Sequence, residues 1–138
     1  METTLISGVK FNSDGTLVYV SCLSGALSIL KIQRRKFEFL QQINCQKNNG
    51  EIYSLALNDE YLLTGHTLST TCVQVWKIQG EKLIEDFAIL DGTSESIIWN
   101  LFMAYPLALV CRDNETLNIM HLVRLSLYHH HAIFVDFS

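Results

Sequence analysis

Residues 72–78, Cys-Val-Gln-Val-Trp-Lys-Ile, have two counterparts in the chain, and this recurrence restricts the possible folds more than any other feature. Forty-six positions earlier stands Ala-Leu-Ser-Ile-Leu-Lys-Ile (26–32), placing Leu30, Lys31 and Ile32 beneath Trp76, Lys77 and Ile78. Forty-four positions later stands Thr-Leu-Asn-Ile-Met-His-Leu (116–122). The middle run is short, rich in β-branched and aromatic residues and punctuated by Gly80, which predicts a strand rather than a helix. Cys72, Trp76 and Ile78 fall on one face of it and Val73 and Val75 on the other, so both faces are apolar enough to be covered.

Reading outward from these runs predicts four strands in each unit. The first unit has strands at 5–11, 16–22, 26–32 and 37–43, and Asn12-Ser13-Asp14-Gly15 and Ser24-Gly25 supply turns. Phe37, Phe39 and Gln41 alternate with Glu38, Leu40 and Gln42, the mixed pattern of an outer, partly wet strand. The second unit has strands at 52–57, 61–66, 72–78 and 83–89; the third has them at 97–103, 107–112 and 116–122, with Pro106 in the turn before a strand. Beyond residue 122, Leu125, Leu127, Tyr128 and the segment 132–137 offer a fourth strand that His129-His130-His131 interrupts. Val9, Leu55 and Leu101 are spaced by 46 and 46, as are Phe11, Leu57 and Met103, which predicts the same inward positions on the first strand of every unit. The reading is all-β: one domain, 1–138, of three four-stranded antiparallel meanders at 5–43, 51–89 and 97–135.

Composition narrows the function classes. With 138 residues, 49% hydrophobic and 17% charged, the chain has the makings of one folded domain and not of a disordered one. No apolar run approaches the roughly 20 residues of a membrane-spanning helix, and Met-Glu-Thr-Thr does not open a signal peptide. An intracellular, cytoplasmic or nuclear protein is expected. A net charge of −4 provides no general attraction to nucleic acid or anionic lipid, so neither is expected as a partner. Arg34-Arg35-Lys36 reads as a solvated turn.

Motifs for chemistry are missing. Cys22, Cys45, Cys72 and Cys111 lie too far apart for a zinc knuckle or a redox dithiol and read as reduced thiols, mostly within strands. His129 and His131 share a strand face but make at most two ligands of a four-ligand zinc site, with Asp136 the nearest addition; the triplet reads as a polar interruption of the tail. There is no Gly-x-Ser-x-Gly and no glycine-rich phosphate loop, and Glu85-Asp86 and Asp59-Glu60 read as solvated strand ends. No metal or cofactor is expected, and the chain is not expected to be an enzyme.

Three units of about 40–45 residues resemble WD40-type blades of a β-propeller. Each is a meander with an aromatic or aliphatic residue near the end of its third strand, and Val-Gln-Val-Trp-Lys at 73–77 is the best-matched piece. The family's Trp-Asp pair appears as Trp76-Lys77, Leu30-Lys31 and Met120-His121. Gly65-His66 ends a second strand instead of preceding a first one, so the family's Trp, Ser/Thr, His and Asp tetrad is not carried over.

A ring takes roughly 4 to 8 blades, so the resemblance implies part of a larger propeller, with lateral faces that need further blades or self-association. It also implies a non-catalytic interaction scaffold whose partners are other proteins, ubiquitin-ligase complexes among the family's known settings. The alternatives are part of an enzyme or small-ligand propeller, and a truncated isoform or fragment without independent function.

On such a rim the loops at 47–50, 92–95, 23–25, 68–71 and 113–115 would converge. Asn48, Asn49, Tyr53, Glu95 and Trp99 are the candidate partner-binding residues, with Tyr53 and Trp99 spaced by 46 near the starts of first strands. The competing role for the two aromatics is packing between neighbouring units.

Overall fold

The computed structural model describes residues 5–45, 51–66, 71–90, 98–104, 107–112, 117–124 and 130–137, with side chains over 5–45, 51–66, 73–86 and 100–103. Strands β1 (Ile6–Phe11), β2 (Leu17–Cys22), β3 (Ala26–Gln33) and β4 (Lys36–Asn44) form a first sheet in chain order. The second sheet is β5 (Ile52–Leu57), β6 (Tyr61–His66), β7 (Thr71–Gln79) and β8 (Lys82–Leu90). In the third, β9 (Ile98–Ala104), β10 (Leu107–Arg112), β11 (Leu117–Arg124) and β12 (His130–Phe137) follow the same order. Every neighbouring pair is antiparallel.

Local chemistry sets the strand ends. Asn12 accepts the Leu17 N–H on its side-chain oxygen at 2.9 Å, and Asp14 Oδ1 accepts both the Thr16 N–H at 3.0 Å and the Thr16 hydroxyl at 2.6 Å. These bonds, the Thr16 hydroxyl first, hold the Asp14 carboxyl below its ordinary value. Gly15 takes φ +73° there, as expected for a turn glycine. In the second sheet one residue does the equivalent work, Asn58 Oδ1 accepting the N–H groups of Glu60 and Tyr61 at 2.8 and 2.7 Å.

The outer hairpins differ in strain. Gln33 pairs with Lys36 around a two-residue loop in which Arg34 and Arg35 both have positive φ, 51° and 64°. The matching loop between Gln79 and Lys82 places Gly80 at its positive-φ position.

Register repeats across the sheets as the sequence spacing predicts. Val18 pairs with Phe11 on one side and Leu30 on the other; Leu62 pairs with Leu57 and Trp76; Ala108 pairs with Met103 and Met120. Each first strand also slips by one residue at one place, leaving Ser7, Tyr53 and Trp99 as the extra residue of a β-bulge. On the outer pairs Leu40 and Asp86 are the matching extra residues.

The sheets stack with first strands adjacent, β1 beside β5 and β5 beside β9. Gly8 lets β1 and β5 approach: a Cβ there would lie 2.9 Å from Ser21 Oγ and 3.1 Å from Leu55 Cγ. The core between the first two sheets combines Leu17, Tyr19, Leu27 and Ile29 with Leu55, Leu62, Trp76 and Leu83, all nearly inaccessible. On the opposite face of the second sheet Leu63, Val73 and Val75 are fully buried, and β9 lies against β5 and β6. Both faces of the β7 segment are thus covered.

At the outer margin the carboxamide of Gln41 acts as a short piece of backbone. Its Oε1 accepts the Leu83 N–H at 3.0 Å and its Nε2 reaches the Leu83 carbonyl at 3.4 Å, satisfying edge groups of β8 that point away from β7. Lys31 and Glu81 form an ion pair at 2.6 Å nearby, which raises the lysine's pKa, chiefly through that hydrogen bond.

Two expectations change. Leu55 and Leu101 are inward at 3% exposure each, but Val9 and Phe11, at the same register, are 46% and 57% exposed. The first sheet uses its other face, with Tyr19 and Ile29, against the second sheet, and no described residue covers the face that holds Val9. In the tail, His130 and His131 do not interrupt the fourth strand; they begin it, paired with Arg124 and Val123. The backbone ladder accepts polar residues at the start of an outer strand because its hydrogen bonds do not depend on the side chain. His129 lies outside the described residues.

Candidate interaction rim

One end of the stack gathers the entries to the first strands and the exits of the second strands. Ile52 pairs with His66 there, Leu23 N–H donates to the Leu5 carbonyl at 2.8 Å, and Cys45 N–H donates to the Gly25 carbonyl at 2.7 Å. Of the predicted rim loops, 23–25 is described; 47–50, 92–95, 68–70 and 113–115 lie outside the described residues, and with them Asn48, Asn49 and Glu95.

Tyr53 is half-buried, and its hydroxyl donates to Glu51 Oε2 at 2.8 Å. The carboxylate raises the phenol's pKa through that bond first, so the ring is oriented and stays protonated. The bulge gives the position its meaning, because an extra residue bends the strand and re-aims the side chain. Trp99 occupies the same bulge in β9, and the structure describes its backbone. Ser7 occupies it in β1, where its hydroxyl meets Ser21 Oγ at 2.9 Å. Spacing alone found Tyr53 and Trp99; that both sit on bulges required the pairing register.

Behind the rim, a buried polar cluster ties β6 to β7. The Trp76 indole N–H donates to Thr64 Oγ1 at 3.0 Å, and the same hydroxyl oxygen lies 2.7 Å from His66 Nε2. Gln74 is equally buried and donates from Nε2 to the Val75 carbonyl at 3.2 Å. Residues 64, 66, 74 and 76 lie on one face because they alternate along two paired strands. The sequence places His66 at the end of a second strand; that it meets Thr64 beside Trp76 follows only from the pairing of β6 with β7.

Among the described residues no group of three or more His, Cys, Asp or Glu is placed to hold a metal ion. Cys22 and Cys45 are free thiols, and burial, helped by Glu85, pushes the Cys45 thiol up to about 12, far from a reactive thiolate. No described helix is long and apolar enough to cross a membrane.

Stacked four-stranded meanders whose first strands lie side by side define a WD40/β-propeller-like fold. Comparison with solved structures agrees. The chain is similar to the β-propeller domain of Myceliophteria thermophila Cps50 (Swd1), with TM-score 0.68 and 13% identity over 86% of this chain and 38% of that one. It is similar to the WD40 repeats of RRP9, with TM-score 0.69 and 10% identity over 98% and 40% of the two chains. A Bacteroides fragilis protein named as a candidate 6-phosphogluconolactonase matches at TM-score 0.72 and 18% identity, over 96% of this chain and 38% of that one. The chain therefore spans about two fifths of the length of these structures. No protein-family model and no curated protein matches the sequence.

Proposed function

We propose that the three sheets are three blades of a propeller and that the chain is a non-catalytic scaffold presenting its rim to other proteins, in the cytoplasm or nucleus. The observation behind this reading is the repeated bulge. One register irregularity recurs at Ser7, Tyr53 and Trp99, at the rim end of each first strand, and strand bulges re-aim side chains where a protein binds. Asn48, Asn49, Tyr53, Glu95 and Trp99 are assigned to this surface as partner contacts, with the two aromatics as anchors. By family analogy alone, a ubiquitin-ligase assembly is one setting for such a scaffold.

A competing reading makes the chain part of an enzyme or small-ligand propeller, and the likeness to the lactonase-type structure favours it. Affinity capture with the wild-type chain and with Tyr53→Ala plus Trp99→Ala separates the two. The scaffold reading expects specific protein partners that the double variant loses while keeping its melting temperature. Capture of no protein, together with saturable binding of a small phosphorylated sugar, would establish the competitor.

A further inference from the structure

The turn at Arg34, Arg35 and Lys36 gathers three of the chain's ten lysine and arginine residues in consecutive positions, although the chain carries a net charge of −4. We infer that this turn docks a short acidic segment of a partner protein, a run of carboxylates, at the end of the stack opposite the rim. The inference rests on the scaffold reading only in taking the partner to be a protein.

The turn is open whatever lies against the first sheet. Ile32, just before it, donates its N–H to the Thr16 carbonyl at 2.7 Å, which sets the β3–β4 hairpin tip beside the β1–β2 turn and away from the rim. Gln33, Arg34, Arg35 and Lys36 are all exposed. The second sheet is covered on both faces, yet Gln79, Gly80, Glu81 and Lys82, the equivalent residues, are exposed as well. Phe37 differs, because its equivalent, Leu83, is buried. The docking site is therefore confined to the turn.

That turn holds its arginines against conformational preference. Arg34 and Arg35 have φ of 51° and 64°, in the left-handed region that residues with a Cβ disfavour. The equivalent turn has Gly80 at its positive-φ position and commits Glu81 to an ion pair with Lys31. Arg34, Arg35 and Lys36 have no carboxylate partner among the described residues. Side chains kept in so unfavourable a conformation cluster where a protein binds or switches. Gln33, Arg34, Lys36 and Glu38 form the polar lining of a recess of about 400 Å³, with Phe37 on its remaining side.

Charge and shape select the ligand. A planar guanidinium takes both oxygens of a carboxylate in parallel hydrogen bonds, and two adjacent arginines with a lysine match a run of acidic side chains. A long polyanion such as nucleic acid would extend over a surface of net negative charge. A short segment feels mainly the local positive group, because exposed charges more than about 8 Å apart are screened at physiological salt.

The test is fluorescence anisotropy of a fluorescein-labelled oligoglutamate peptide titrated with the full chain. Wild type should bind it saturably, and Arg34→Asn with Arg35→Gly should raise the dissociation constant roughly 10- to 100-fold without lowering the melting temperature. Arg34→Lys with Arg35→Lys, which keeps the charge and loses the planar fork, should fall between the two. Lys10→Ala with Lys77→Ala removes the same two charges from exposed positions elsewhere and should bind as wild type does. No saturable binding by wild type overturns the proposal. An equal loss in the Lys10 and Lys77 variant overturns it too, since the attraction would then be general, and tighter binding of a single-stranded oligonucleotide of equal charge would assign the turn to nucleic acid instead. Capture of partners through Tyr53 and Trp99 reads a different surface, so failure at the turn leaves the scaffold reading standing.

Discussion

Trp76 and Thr64 are joined through the indole N–H and the threonine hydroxyl at 3.0 Å, diagonally across β7 and β6 on a face with no access to water. Removing the hydroxyl while keeping the shape leaves a buried donor without its acceptor, which costs about 1–3 kcal/mol. Thr64→Val should lower the urea-unfolding free energy by that amount. In combination with Trp76→Phe the loss should be less than additive, because the second change removes the orphaned N–H. Strict additivity would show that the two side chains are not coupled.

The Arg34-Arg35 loop stores strain. Two non-glycine residues at positive φ cost roughly 1–2 kcal/mol each in the left-handed region, and the two-residue hairpin loop between Gln33 and Lys36 is one where Asn-Gly is preferred. Arg34→Asn with Arg35→Gly should raise stability by about 1 kcal/mol after the extra freedom of glycine in the unfolded chain is counted. Thermal denaturation monitored by circular dichroism reads it as a higher midpoint; a lower midpoint would place these side chains in contacts that outweigh the strain.

Gln41 and Lys31 make the contacts between the outer parts of the first and second sheets, and they should differ in worth. Gln41→Met keeps the bulk but leaves the Leu83 N–H and carbonyl without their partner, for a loss of about 1–2 kcal/mol in chemical denaturation. Lys31→Ala breaks an ion pair open to solvent on both sides and should leave the midpoint where it was.

Cys45 makes stability fall in alkali. Its folded-state pKa of about 12 lies above the unfolded value of roughly 8.5, so the folded thiol stays protonated while the unfolded one ionises. The contribution is whole below about pH 8.5 and is lost progressively as pH climbs toward 12, a drop on the order of a few kcal/mol. Cys45→Ala should flatten that part of the pH profile relative to wild type. In the native protein at neutral pH, iodoacetamide should modify half-buried Cys22 well before buried Cys45, as residue-level mass spectrometry would report.

Much of the strand plan was legible because the relevant forces are local. Asn12, Asp14 and Gly15 make their turn from bonds among neighbours, and alternation around Trp76 declares a strand whatever surrounds it. Even cross-sheet equivalence, Leu30 with Trp76 and Met120, could be read from spacing, since repeated units of one shape keep one register. The polar cluster was not legible: His66 joins Thr64 and Trp76 through the pairing of β6 with β7, and no short-range pattern states which buried polar groups will meet. The candidate rim was legible in part, through Tyr53 and Trp99, whose common spacing marks a shared place but says nothing of the bulge that creates it.

Sequence by itself determined the strands, their turns and the common register, because periodicity and turn chemistry act within a few residues and repetition copies them. Tertiary structure decided which face of each sheet is buried. Val9 and Leu55 hold the same position in equivalent strands, yet one meets solvent and the other a neighbouring sheet. Apolarity demands a cover for each of them, but only the order in which the sheets stack determines which receives it.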